Sequence, residues 1–354
     1  MTGSRYRYDG APLLTLNELQ WRMKRQIDQK VESGLYRFEK VMCCVCQGSD
    51  FESLADKDRY GLYVPVVICR VCGLIQTNPR MSETAYRSFY NDEYRKLYEG
   101  HEGPTEAFFV QQCERGKAIL RFFETSRAFP RDLSRCFVLE VGCGAGGILA
   151  SFKEKGCRVK GVDWGEDYVA FGREKFGLDL TVGGIHEAEN SLDAQPDIII
   201  YSHVFEHLLD PREELRAVQR ICAPHGAVYL EMPGVKDLMT RYERDFLRFL
   251  QNAHTYHFTL TTLKNVVQPV GFDLIAGNEV IRAIFSKAAA DSARPDIVSD
   301  YQSVSNFLKT LEFWRALYPY TREGLRRGPR LAAGAVLRKI GLYGALKRAL
   351  GRPD

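Results

Sequence analysis

The sequence has no run of about 18 consecutive apolar residues, so hydropathy excludes a membrane-spanning helix. Its first residues, MTGSRYRYDG, carry no apolar core of the kind a secretory leader needs, and a cytoplasmic location is the expectation. No internal repeat and no low-complexity stretch occurs, so neither a solenoid nor a disordered tether is in view. Basic excess is also missing from most of the chain. Residues 321–354 carry +7 (Arg322, Arg326, Arg327, Arg330, Arg338, Lys339, Lys347, Arg348 and Arg352 against Glu323 and Asp354), which leaves −3 of the net +4 for residues 1–320. A body with that balance lacks the footprint of a polyanion binder, and nucleic acid is not expected as a partner.

What is there is a globular composition. The 354 residues are 45% hydrophobic and 27% charged, enough for two or three packed units. Ten cysteines in a reducing compartment argue for metal binding rather than a disulfide framework. The chain divides into a helical segment (1–40), a cysteine-bearing unit of short β pieces (41–80), an aromatic helical stretch (81–130), a strand–helix alternation (131–288) and a helical basic extension (289–354). In the first, Leu16, Leu19, Met23 and Ile27 recur at helical spacing. In the fourth, CFVLEV, CRVKGVD, DLTV, DIIIYS and AVYLEM alternate with helices and are closed by FDLIAGNE and VIRAIFSK. That pattern predicts an α/β fold, a doubly wound and mostly parallel sheet covered on both faces.

Residues 138–147, VLEVGCGAGG, run from a strand through glycines into a helix, a turn that brings backbone N–H groups close to a ligand. Gly142, Gly144 and Gly147 fit a dinucleotide fingerprint. Gly142, Gly144 and Gly146, with Glu140 before them, fit an acidic ExGxGxG loop instead. Asp163 ends the next strand, where a carboxylate can accept ribose hydroxyls. The segment PDIIIYSHVFEHLLDP, then AVYLEMPG and AHTYHFTLTTLKNVVQPVGF, follow in order. Together these motifs resemble class I S-adenosylmethionine (SAM)-dependent methyltransferases across roughly residues 105–288. The resemblance implies a Rossmann-like seven-stranded methyltransferase sheet with SAM as cofactor. It assigns cofactor contact to Glu140, Gly142, Gly144, Gly146, Asp163, Trp164 and Ser202.

Cys43-x-x-Cys46 and Cys69-x-x-Cys72 have the paired spacing of a four-thiolate zinc ribbon, and Cys44 is a bystander. Such a closed site makes the Zn²⁺ structural. Asp50, Glu52, Asp56 and Asp58 outnumber Lys57, Arg59 and Arg70 in this unit, which disfavours phosphate binding. The unit and the following YRSFYNDEY resemble sugar methyltransferases of deoxysugar and surface-polysaccharide pathways, in which the N-terminal unit helps cover the acceptor site.

His203, Glu206, His207 and His254 are the catalytic candidates, with His203, directly after the fourth strand, as general base. His203-x-x-Glu206-His207 also stands where some class I O-methyltransferases bind Mg²⁺ through ExxEH. A histidine in the first position makes a hard-cation site the lesser reading. Sugar C-methyltransferases carry Y-x-E-H after the fifth strand. Here the residues are Gln251-Asn252-Ala253-His254, and only His254 matches, which favours O-methylation of a sugar hydroxyl on a nucleotide-linked or lipid-linked acceptor. The alternatives are a sugar C-methyltransferase, a catalytically silent module binding RNA or protein, and an NAD-dependent oxidoreductase. The basic tail, 328–350, forms an amphipathic pattern suited to the inner membrane surface or a partner enzyme, or to packing on the protein itself.

Overall fold

The structure, a computed structural model, describes residues 3–100, 103–126, 132–289 and 295–318. The basic tail of residues 319–354, with the reading attached to it, lies outside the described residues. The first helix, α1 (Glu18–Glu32), begins at a reciprocal cap. The Asn17 side chain accepts from the Gln20 N–H, and the Gln20 side chain accepts from the Asn17 N–H. Short strands follow: β1 (Phe38–Glu39), β2 (Phe51–Lys57), β3 (Tyr63–Cys69), β4 (Ile75–Thr77) and β5 (Arg80–Met81). β2, β3 and β4 form an antiparallel meander, and β1 pairs with β5. The aromatic stretch is α2 (Glu83–Phe89), a π-helical turn at Tyr90–Tyr94, and α3 (Arg95–Glu99), after which comes α4 (Glu106–Ser126).

Alternation then begins as expected. In order come β6 (Phe137–Val141), α5 (Gly147–Glu154), β7 (Arg158–Asp163), α6 (Glu166–Phe176), β8 (Leu180–Val182) and α7 (Ile185–Ser191). β9 (Ile198–Ser202), α8 (Pro211–Ile221), β10 (Ala227–Glu231), α9 (Phe246–Phe249), β11 (Tyr256–His257) and α10 (Leu260–Val267) continue it. β12 (Phe272–Gly277) and β13 (Arg282–Lys287) close the sheet, and α11 (Tyr301–Leu317) ends the described chain. The seven strands lie in the order β12-β13-β10-β9-β6-β7-β8. The last five in that order are parallel, while β13 runs antiparallel to β10 and β12 antiparallel to β13. Every residue of β6, β9 and β10 is buried, as a sheet covered on both faces requires. Short, polar α7 has no apolar period, and the sequence pattern gives no sign of it.

The cysteine unit does not end at residue 80. β11 (Tyr256–His257), from the second half of the chain, adds to β4 as the fourth strand of the small sheet. Cys43, Cys69 and Cys72 belong to the same apolar core as Leu139, Ile199 and Val228 of the large sheet. The Arg212 guanidinium donates to the Val45 carbonyl at 2.5 Å. The second cysteine turn lies against the start of α11, where the Asp300 N–H donates to the Cys72 carbonyl at 3.1 Å.

Candidate active site

Parallel strands place their carboxyl ends on one edge, and the candidate residues gather there. The glycine turn uses both sets of glycines. Gly142, Gly144 and Gly146 all have positive φ (73°, 54° and 80°), whereas Gly147 does not. Gly147 serves packing instead: a Cβ there would lie 2.6 Å from the Phe109 carbonyl oxygen of α4. Glu140 is buried, and one of its carboxylate oxygens has no hydrogen-bond partner among the described residues. Burial, with Asp163 close by, holds its carboxyl well above the usual range. A buried carboxyl with one oxygen unpartnered, beside a glycine cradle, suits the ammonium end of SAM.

Asp163 is already engaged. Its Oδ2 accepts the Gly144 N–H at 2.8 Å, and its Oδ1 accepts the Gly165 N–H at 2.7 Å. Arg95 also donates to Oδ1 at 2.8 Å, with its guanidinium 3.7 Å from the centroid of the Tyr168 ring. Arg95 thus stands over the carboxylate to which the sequence reading assigns the ribose. Sequence reading missed Arg95, because nothing in a local pattern links α3 to the end of β7. The Ser202 hydroxyl donates to Glu231 at 3.2 Å, and Glu231 also accepts from Arg282 at 3.0 Å. Ser202 is thus committed within the protein. Trp164 stands 67% exposed beyond β7.

One strand over, the chain after β9 brings the catalytic candidates together. Glu206 and His207 form a short 3-10 turn (Phe205–His207), and α8 starts later, at the Asp210 cap. His203 sits at φ 57°, a left-handed position that a non-glycine residue rarely holds, with its N–H donating to the Glu231 carbonyl at 2.7 Å. Glu206 Oε1 lies 3.6 Å from His203 Nδ1, 3.7 Å from His207 Nε2 and 3.7 Å from His254 Nε2. Glu206 is 1% exposed, and neither of its oxygens has a hydrogen-bond partner among the described residues. Burial pushes its carboxyl up to about 7. Burial, with the Arg115 charge, holds His203 down to about 4 and so neutral. His254 is held well below its ordinary value by burial and by neighbouring imidazoles.

A tyrosine ladder covers this cluster. Tyr86, Tyr90, Tyr94 and Tyr98 are four residues apart, and neighbouring rings lie 5.5, 4.5 and 4.9 Å apart between centroids. A strict α-helix rotates such a series off one face, and the π-helical turn winds it back. Tyr90 Oη bonds His207 Nδ1, and Tyr94 stacks edge-on to His207 at 5.8 Å. The four-residue spacing was visible in the sequence, but its target was not.

The four cysteine Sγ atoms lie within 4.8 Å of one another. The Cys43–Cys72 and Cys46–Cys69 sulfur separations are 3.4 Å each. A tetrahedral Zn–S distance of about 2.3 Å requires S···S edges of about 3.8 Å, so the group fits that ion.

A family described as "Methyltransferase domain" matches residues 114–276. The chain is 27% identical over 150 residues to an uncharacterized methyltransferase of Staphylococcus carnosus, a match covering 39% of this chain and 70% of that one. It is 30% identical over 98 residues to a ubiquinone biosynthesis O-methyltransferase of Pseudomonas paraeruginosa, covering 26% of this chain and 42% of the relative. The chain therefore spans less than half the length of that relative. Among solved structures, a Synechocystis magnesium protoporphyrin IX methyltransferase with bound S-adenosylhomocysteine aligns at 12% identity and a TM-score of 0.41, covering 59% of this chain and 100% of that one. Residues 114–276 thus match a methyltransferase domain, and the strand order is that of a Rossmann-like methyltransferase fold. The chain carries that domain beside a cysteine unit fused into its core.

Proposed function

We propose that the protein transfers a methyl group from SAM to a hydroxyl of a sugar carried on a nucleotide or a lipid. The observation that carries this reading is the placement of two groups on one edge of the sheet: buried Glu140, with one carboxyl oxygen unpartnered, at the glycine turn, and the His203–Glu206–His207–His254 cluster beyond β9. SAM supplies an activated methyl carbon when bound. Glu140 and the turn of Gly142, Gly144 and Gly146 would hold it, with Asp163 once Arg95 has moved.

His203 Nδ1 faces Glu206, which leaves Nε2 to take the proton of the acceptor hydroxyl. The tyrosine ladder excludes water and aligns the acceptor. The oxygen acceptor is supported by the name of the ubiquinone O-methyltransferase relative. The sugar is supported by the resemblance of the cysteine unit and of the YRSFYNDEY stretch, whose tyrosines cover the cluster. Zn²⁺ in the four-cysteine group would be structural.

The test is mass spectrometry of nucleotide sugars after incubation with the protein and methyl-labelled SAM. A labelled product supports the reading. S-adenosylhomocysteine binding with no product from any sugar would overturn the acceptor class.

C-methylation is the second reading, and one observation favours it. The carboxylate missing next to His254 in sequence is supplied in space by Glu206, 3.7 Å from His254 Nε2. Deuterium exchange from D2O into a keto-sugar, at the carbon beside the carbonyl, would reveal enolate formation and select this reading.

A further inference from the structure

Several partly covered arginines around the site meet a carboxylate. Arg5 pairs with Asp245, Arg95 with Asp163, Arg248 with Glu243 and Arg282 with Glu231, at 2.6, 2.8, 3.2 and 3.0 Å. Arg59, in the turn after β2, does not. Its guanidinium donates to neutral oxygens: the Arg248 carbonyl at 3.4 Å, the Tyr60 hydroxyl at 3.5 Å and Gln251 Oε1. Its Nε is shielded from solvent and has no hydrogen-bond partner among the described residues. Acidic neighbours in the same unit are committed elsewhere. Asp50 and Glu52 each lie 3.5 Å from Arg70. Buried Asp58 accepts the Tyr60 and Leu62 N–H groups on one oxygen and the Asn252 N–H on the other. A guanidinium does not give up its proton inside a protein, so a partly buried cation stands here without an ion-pair partner among the described residues.

The backbone fixes this cation beside the histidine cluster. The Arg59 N–H donates to the Leu250 carbonyl at 3.2 Å, and the Arg59 carbonyl accepts the Leu13 N–H at 2.9 Å. Gln251 joins the guanidinium to His254, whose Nε2 is 3.7 Å from Glu206. The tyrosine ladder that starts over His207 ends at the same place, with the guanidinium carbon 5.8 Å from the centroid of the Tyr98 ring. Tyr242 opens a run of three non-glycine residues at left-handed φ (53°, 55° and 58°), and its hydroxyl feels the charges of both Arg59 and Glu206. Such a run persists only where the surroundings over-determine it. Arg59, Tyr242, Gln251 and His203 are each partly exposed.

We propose that Arg59 sets acceptor specificity by pairing with a phosphate of the group that links the sugar to its carrier. The planar fork of a guanidinium matches two phosphate oxygens, and a half-covered site strengthens the contact. His254 and Gln251 lie between the base and the cation, a span that a sugar and its linking phosphate can cover. The identity of the acceptor rests on the function proposed above, whereas the pairing of Arg59 with a phosphate does not.

The test titrates the full-length protein, in the presence of S-adenosylhomocysteine, with uridine 5′-diphosphate and with geranyl diphosphate by calorimetry. At least one of them is expected to bind. Tighter binding of the first marks a nucleotide carrier and tighter binding of the second a lipid carrier. Arg59→Gln should weaken the diphosphate at least about tenfold with S-adenosylhomocysteine affinity unchanged, and Arg59→Lys should recover most of the loss. Arg216→Gln, at an exposed arginine of α8, should have no effect. In the unsubstituted protein, the diphosphate should slow phenylglyoxal modification of Arg59, read by peptide mass spectrometry. The inference is overturned if neither diphosphate binds, if Arg59→Gln binds as tightly as the parent, if Arg216→Gln loses as much, or if the labelling of Arg59 is undiminished. An unchanged KM of Arg59→Gln for a diphosphate-linked sugar would also overturn it and leave the sugar methyltransferase reading standing. Diphosphate binding through Arg59 with no sugar methylated would do the reverse.

Discussion

Glu140 is a residue that folding alone does not reward. Its folded carboxyl lies far above its unfolded value, so the fold is favoured by it at low pH and loses that contribution as pH rises through the folded value. Glu140→Gln removes the loss, and the variant should melt at or above the temperature of the parent at neutral pH. The same substitution should weaken S-adenosylhomocysteine binding at least tenfold. An ammonium group favours the ionised carboxylate, so ligand binding should release a proton in the parent and none in the variant. Calorimetry in two buffers of different ionisation enthalpy measures this. Gly142 gives a second test at the same scale. A Cβ there would lie 2.3 Å from Val204 Cγ2 at a φ of 73°, so Gly142→Ala should cost about 1–2 kcal/mol by urea unfolding. Sequence showed these glycines and Glu140, because a turn between strand and helix leaves a local trace. It did not show that Ser202 turns to Glu231, since that partner lies 29 positions away.

The element that governs access is the helical run of α2, the π-helical turn and α3. It is tied to α1 by Lys30, which pairs with buried Glu93 at 2.5 Å, while the Tyr36 hydroxyl donates to the other Glu93 oxygen at 2.7 Å. From that anchor it sends tyrosines over the histidine cluster and Arg95 to Asp163. On the function proposed above, cofactor entry and acceptor-site cover share this one piece. Arg95→Ala should speed S-adenosylhomocysteine association several-fold in stopped-flow fluorescence, because a charge-assisted contact no longer has to break first. An unchanged association rate would show that Arg95 does not obstruct the ligand. The helices themselves were legible from aromatic spacing. Their destination was not, because the contacts of Tyr90 and Arg95 join residues 117 and 68 positions apart.

Across the whole molecule, the cysteine unit is part of the main core rather than an appendage. Its sulfurs pack in the cluster that lines the large sheet, and β11, which follows the parallel strands in sequence, closes its small sheet. Stripping metal from the four cysteines, or Cys46→Ser, should therefore lower the single melting transition of the whole protein and weaken S-adenosylhomocysteine binding with it. A separate early transition with intact ligand binding would show an independent ribbon. The two CxxC pairs announced the four-cysteine group, and the alternating strands announced the sheet. The fusion between them depends on contacts such as Arg212 with Val45, which no local pattern encodes. No helix among the described residues is long and apolar enough to cross a membrane. The account rests on the glycine turn as a SAM-binding cradle, and calorimetric titration with S-adenosylhomocysteine tests it most directly. It expects saturable binding near one molecule per chain by the unsubstituted protein, abolished by Gly144→Arg. No binding by the folded parent, or equal binding by the variant, would contradict it.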